Sequence, residues 1–213
     1  MGTSKRIIND SIKNILKDVP FDTIDSKSPE VSKKIITEKR IVKELGDNNV
    51  LERCIGVVGG YFQKIKVEGF EGNSYEELKK DSVSTEEFIN TIIDEIDSEE
   101  SILLDKHILE KSLKLTLTDC VLNDALDIEY LVIKLLLNVD NIILSKELHD
   151  TLKDIYGEIE YEQIDNMIEN LSEKIVHQEL NIKIKGYIAK EVSYEEMIDE
   201  VVKSTEAATF GEF

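Results

Sequence analysis

Asn49-Val50-Leu51-Glu52-Arg53-Cys54-Ile55-Gly56-Val57-Val58-Gly59-Gly60-Tyr61-Phe62-Gln63-Lys64-Ile65-Lys66-Val67 is the stretch on which the fold class turns. Its first half has helical composition. Gly56, Gly59 and Gly60 then interrupt it, and a glycine weakens a helix interior by about 1 kcal/mol relative to alanine. The spacing therefore predicts a helix that breaks among the glycines. Beyond them, Tyr61 to Val67 alternates like a strand, with Ile65 and Val67 on one face. Glu68-Gly69 and Glu71-Gly72-Asn73 read as turns.

A second stretch repeats the pattern. Leu180-Asn181-Ile182-Lys183-Ile184-Lys185-Gly186-Tyr187 alternates as a strand, and Ile182 to Tyr187 is similar to Ile65 to Phe70. Each is followed by a helix with a Ser-x-x-Glu start. Two origins stay open: a strand–turn–helix duplication, or chance repetition from a small residue alphabet and shared capping chemistry. Under either, the two strands are candidates to pair in one small sheet.

The rest reads as helix. Ile8, Ile12, Ile15 and Val19 form one apolar stripe from about Ser4 to Asp18, ended by Val19-Pro20. Ser28-Pro29-Glu30 opens a helix whose stripe Val31, Ile35, Val42, Leu45 runs to Gly46. Three capping boxes share one formula: Ser74-Tyr75-Glu76-Glu77, Ser84-Thr85-Glu86-Glu87 and Ser193-Tyr194-Glu195-Glu196. Residues 101–112 favour helix, while 111–121 fits either helix or strand. Asp124 to Asn138 reads as a helix apolar on most sides. Ser145 opens another that ends at Gly157, and Tyr161 to Gln178 forms a long one. The expected fold is mostly α (α+β): five to eight helices with a small minor β-sheet and a core over 124–178.

Composition bounds the class. The 213 residues include 41% hydrophobic and 33% charged side chains, two prolines and no tryptophan. That excludes collagen, and the longest apolar run (Leu131 to Leu137, broken by Lys134) is far short of the roughly 20 residues a bilayer needs. Two cysteines, Cys54 and Cys120, cannot build a disulfide framework, so a reducing cytoplasm is expected. The start Met1 to Asp10 lacks the apolar run of a signal peptide. Arg6 stands where a myristoylation motif wants serine or threonine.

The net charge of −19 is uneven. Residues 1–60 hold 11 basic and 9 acidic side chains; residues 61–213 hold 15 and 36. An acidic body repels nucleic acid and anionic lipid and attracts basic surfaces. The charge and composition divide the chain into a helical arm at 1–45, an acidic α+β domain at 46–204 and an aromatic tail at 205–213. Lys33, Lys34, Lys39, Arg40 and Lys43 form the one basic cluster legible along the chain.

Motifs for chemistry are sparse. His107, His149 and His177 have no His or Cys at ligand spacing. Glu173 and His177, four apart, are an ordinary helix-surface pair. The carboxylates of Asp94 to Glu99 lack the glycine and final glutamate of a calcium loop. There is no P-loop and no Gly-x-Ser-x-Gly elbow. Gly56-Val57-Val58-Gly59 has Gly-x-x-Gly spacing but no basic pair, so a tight turn is favoured over an RNA clamp. No cofactor or metal is expected.

These readings point to a non-catalytic interaction or assembly subunit of a larger complex, with other protein subunits or a second copy as partners. A phage- or virus-type particle component or assembly factor is one home, which would place the chain in the cytoplasm or inside an assembled particle. Phe210 and Phe213 are the candidate anchors in a partner's groove, beside the basic cluster. Direct nucleic-acid binding and membrane insertion are not expected. Two alternatives stand: an acidic nucleic-acid mimic that inhibits a DNA- or RNA-binding protein, and an enzyme with an unfamiliar site.

Overall fold

Gly56, Gly59 and Gly60 do not end their helix. In a computed structural model, which describes residues 2–98, 106–157 and 178–207, a single helix runs from Asn48 to Glu68. Asp47 caps its start, accepting the backbone N–H groups of Asn49 and Val50 at 3.0 and 3.2 Å. Val58, Phe62 and Ile65 are buried at three- and four-residue steps, whereas Val67 is 85% exposed. A strand would have buried Val67 with Ile65; the helical period leaves it in solvent. The same test decides 178–188, which is also helix. There Leu180, Ile184 and Tyr187 are buried and Ile182 is 58% exposed. The expected small sheet is therefore not formed: among the described residues there is no strand, only an isolated bridge between Phe70 and Asn73.

Ten α-helices are present among the described residues. They are α1 (Gly2–Leu16), α2 (Ser28–Ile35), α3 (Glu38–Leu45), α4 (Asn48–Glu68) and α5 (Tyr75–Leu78). α6 (Ser82–Asp97), α7 (Lys106–Leu122), α8 (Ile128–Tyr156), α9 (Gln178–Ile188) and α10 (Tyr194–Ala207) follow, and a 3-10 segment (Phe21–Lys27) joins α1 to α2. The helix expected from Ser28 to Gly46 is two helices. Ile36, buried and extended, separates α2 from α3. Residues 111–121 are helical: Leu113, Leu117, Cys120 and Val121 are buried and Leu115 is exposed. No break occurs at Ser145; α8 is continuous for 29 residues and stops at Gly157, whose φ is +81°.

Two of the three capping boxes form. Ser74 and Glu77 satisfy each other's backbone N–H groups at the start of α5. Ser193 and Glu196 do so at 3.0 and 3.2 Å at the start of α10. At α6 the cap is Asp81 instead, and Ser84 lies buried in the first turn with its hydroxyl donating to the Asp81 carboxylate at 2.5 Å. An acid three residues upstream outcompetes the serine for the helix start.

The contacts divide the chain into two compact units, Met1–Ile41 with Asp140–Phe213, and Val42–Val139. The helices α3 and α8 each run across a division point. In the first unit, α2 packs on α1 and α10, and α10 packs on α9. Lys13 on α1 bonds Asp154 on α8 at 2.8 Å, and the Phe21 and Tyr156 rings meet edge to face. In the second unit, α6 packs on α4 and α7. Arg53 on α4 donates to the carbonyls of Ile96 and Glu95 at 2.8 and 2.6 Å, which satisfies the C-terminal end of α6. Tyr61 and Phe70 each pack edge-on against the buried Phe88. The expected core segment 124–178 is only part of the interior, since buried apolar side chains come from helices throughout both units. Most of the predicted helix at 161–178 lies outside the described residues.

Candidate functional site

The second unit holds a cleft of about 410 Å³ between α6 and α7, lined also by Lys79 and Lys80 from the segment before α6. Its walls are two helix stripes. Ser82, Thr85, Glu86, Ile89 and Asn90 come from one face of α6; Lys114, Thr118 and Leu122, at four-residue steps, come from α7. Ile89 and Thr85 are buried and form the floor, while Leu122 at the rim is 61% exposed.

Local capping explains why lysine charge collects here. α5 is one turn long and opens on the Ser74–Glu77 box; α6 opens on Asp81. The two carboxylates nearest Lys80 in sequence are thus consumed by helix starts. Hydrogen bonds from Ser74 hold Glu77 below the ordinary carboxylate range, with a smaller pull from Lys80. Those from Ser84 and Val83 do the same for Asp81. Among the described residues Lys80 is left with no ion pair within 4 Å. Thr85, whose hydroxyl donates to the Leu78 carbonyl at 2.6 Å, ties the end of α5, next to the lysine pair, to α6.

The remaining polar groups are unevenly committed. Lys79 bonds Glu76 at 2.9 Å and lies 4.8 Å over the Tyr75 ring, and the Glu76 bond holds its pKa above the usual lysine value. Lys114 pairs with Glu110 at 3.0 Å on an open helix surface, an exchangeable contact worth about 0.5 kcal/mol or less. Thr118 donates to the Lys114 carbonyl at 2.8 Å. Among the described residues the Ser82 hydroxyl and the Asn90 carboxamide make no hydrogen bond. Among the described residues the cleft therefore offers an ammonium group with no ion pair, and a hydroxyl and a carboxamide with no hydrogen bond, beside an apolar floor. The unit around it carries 10 basic and 21 acidic residues, a net of −11.

Comparison with known protein families, curated proteins and solved structures finds no match.

The residues singled out by the sequence fall elsewhere. Lys33 and Lys34 are exposed on α2, and Lys39, Arg40 and Lys43 lie on α3, beyond the break at Ile36. Arg40 is half-buried and donates to Glu147 of α8 at 3.0 Å. Lys43 belongs to the second unit and sits 3.4 Å from the buried Glu44. The five do not form one continuous helix face. Phe210 and Phe213 lie outside the described residues, as do Glu173 and His177. Gly56 to Gly59 is helix interior in α4, with no loop to clamp a nucleotide.

The sequence reading missed Lys79, Lys80 and Lys114. The first two form a doublet just before the Asp81 cap, and the third begins the Lys114, Thr118, Leu122 stripe, but more than thirty residues separate them. Only the packing of α6 on α7 joins them. Among the described residues no group of three or more His, Cys, Asp or Glu side chains is placed to hold a metal. Burial pushes the Cys54 and Cys120 thiols up to about 12. It pushes Asp140 on α8 up to about 8. None of these three groups lines the cleft.

Proposed function

We propose that this protein is an interaction subunit that works by docking onto another protein within a larger assembly, and that the α6–α7 cleft is its recognition element. The observation that carries the reading is the set Lys80, Ser82 and Asn90, whose side chains have no ion pair or hydrogen bond among the described residues, grouped over Ile89 and Leu122. Polar groups with no internal partner beside exposed apolar surface are what a binding surface keeps in reserve. A binding role also accounts for lysines concentrated in one cleft of a strongly acidic unit, where they select partners by charge complementarity.

The test is capture of partners from the native source by tagged protein, wild type against the double variant Lys80→Glu, Lys114→Glu. Both positions are exposed, so helical content by circular dichroism should be unchanged. The reading requires a partner retained by the wild type and lost by the variant. Equal recovery on both would move the interaction away from the cleft. Retention of a basic partner that nucleic acid displaces would instead support mimicry of nucleic acid by the acidic surface.

A further inference from the structure

Resting on that reading, we infer that the α6–α7 cleft takes an extended acidic peptide segment in which carboxylate side chains alternate with apolar ones. Its length follows from the α7 wall. Lys114 and Leu122 are eight residue steps apart on the helix, about 12 Å at 1.5 Å per step. An extended chain covers that distance in about four residues at 3.3 Å each.

Its chemistry follows from what lines each level. The exposed Lys80 and Lys114 stand at the rim, and Ile89 lies buried at the floor with Leu122 beside the opening. Successive side chains of an extended segment point to opposite sides. An acid–apolar–acid sequence therefore aims its carboxylates at the two ammonium groups while the apolar side chain between them covers Ile89 and Leu122. Lys114 can exchange its surface contact with Glu110 for this pairing. Lys79, held by Glu76 and the Tyr75 ring, stays in place as a wall.

The Asn90 carboxamide favours a peptide over a simple anion. It carries both a donor and an acceptor, which is the pair an extended backbone presents along its edge. A lone phosphate has no use for the acceptor, nor for the exposed Leu122. Glu86, the one carboxylate in the lining, sits beside the carboxamide and disfavours a second negative charge at that point. It sets a polarity along the groove, with carboxylates at the Lys80 and Lys114 positions and none beside Glu86.

The experiment is fluorescence anisotropy of the full chain with a labelled peptide Glu-Leu-Glu-Leu-Glu, and with versions carrying Gln for Glu or Ser for Leu. Binding of the first peptide is expected, with losses of about tenfold or more for each altered peptide and for Lys80→Glu, Lys114→Glu and Leu122→Ser. Asn90→Ala should weaken the peptide and leave inorganic phosphate unaffected. Equal binding of the Gln peptide, or insensitivity to Lys80→Glu, overturns the inference. So does competition by inorganic phosphate at concentrations comparable to the peptide, which would make the cleft a simple anion site. Failure of every peptide while partner capture still depends on Lys80 and Lys114 removes this ligand class and spares the docking reading. Loss of that dependence removes the reading itself.

Discussion

Lys190 holds a backbone conformation that side chains resist. Its φ is +61°, and it sits just past α9, where the Glu191 N–H reaches the Gly186 carbonyl at 2.8 Å and the Lys190 N–H reaches that of Tyr187 at 3.0 Å. This double bond pattern is the Schellman motif, whose left-handed position glycine fills without steric cost. Lys190→Gly should therefore stabilise the protein by about 1 kcal/mol, read as a higher urea midpoint with unchanged slope. A fall in the midpoint would mean that Lys190 contributes through its side chain. Asp140 makes the opposite kind of demand. It is fully buried, neither carboxylate oxygen has a hydrogen-bond partner among the described residues, and burial raises its pKa from 3.8 to about 8. Between those two values the folded protein keeps the proton and the unfolded chain has lost it, so stability falls as pH rises by about 1.4 kcal/mol per unit at most. Below 3.8 both states are protonated and the loss is absent; above 8 it is complete. Asp140→Asn should remove this slope. Melting of the two proteins should coincide most nearly at pH 4 and diverge in favour of the variant toward pH 8, and parallel curves would place Asp140 in a wetter setting.

At the scale of the element, α4 is where sequence and structure part. Three glycines and an Ile65/Val67 alternation read as helix, break and strand, yet the chain is helical throughout 48–68. Propensity is a small term beside packing: six buried residues hold α4 in place, and burying each large apolar side chain contributes about 1.5–3 kcal/mol. The glycines also differ among themselves. A Cβ at Gly56 or Gly60 meets nothing within 4 Å, while one at Gly59 would come to 3.2 Å from Ile128 Cδ1. Gly56→Ala and Gly60→Ala should each stabilise the fold by about 0.5–1 kcal/mol, and Gly59→Ala by less. A turn at 56–60 would reverse the first two signs in chemical denaturation. Helix ends are legible where the signal is local, as at the Ser74–Glu77 and Ser193–Glu196 boxes and at Gly46 and Gly157, because a cap is settled within four residues. An alternating pair such as Ile182 and Ile184 fits either period until the burial of Leu180 and Tyr187 decides it, so the pattern predicts strand where the chain is helical. The cleft was not legible at all. Its lysines lie on α7 and before α6, and nothing local to either marks which helix face the other will cover.

Across the whole molecule, charge acts in two opposed ways. The chain carries −19, with 45 acidic side chains against 26 basic ones, and the described surface ion pairs such as Lys203–Asp199 and Arg6–Asp10 are exposed and weak. Unbalanced carboxylates repel one another more in the folded state than in the expanded chain, so added salt should strengthen the fold. Raising NaCl from about 20 to 300 mM shrinks the screening length from roughly 20 to 6 Å, and the melting temperature should climb by about 2–5 °C. Chloride also screens the short-range attraction between Lys80, Lys114 and an acidic ligand, so the same step should weaken peptide binding at the cleft by about tenfold. The two responses have opposite signs because one sums repulsion over the entire surface and the other reads a local reversal of it. Measuring both on one protein separates them. If melting and affinity fell together, salt would be destabilising the fold that shapes the cleft. If affinity held constant while the melting temperature rose, the burial of Leu122 would be carrying recognition without the lysines.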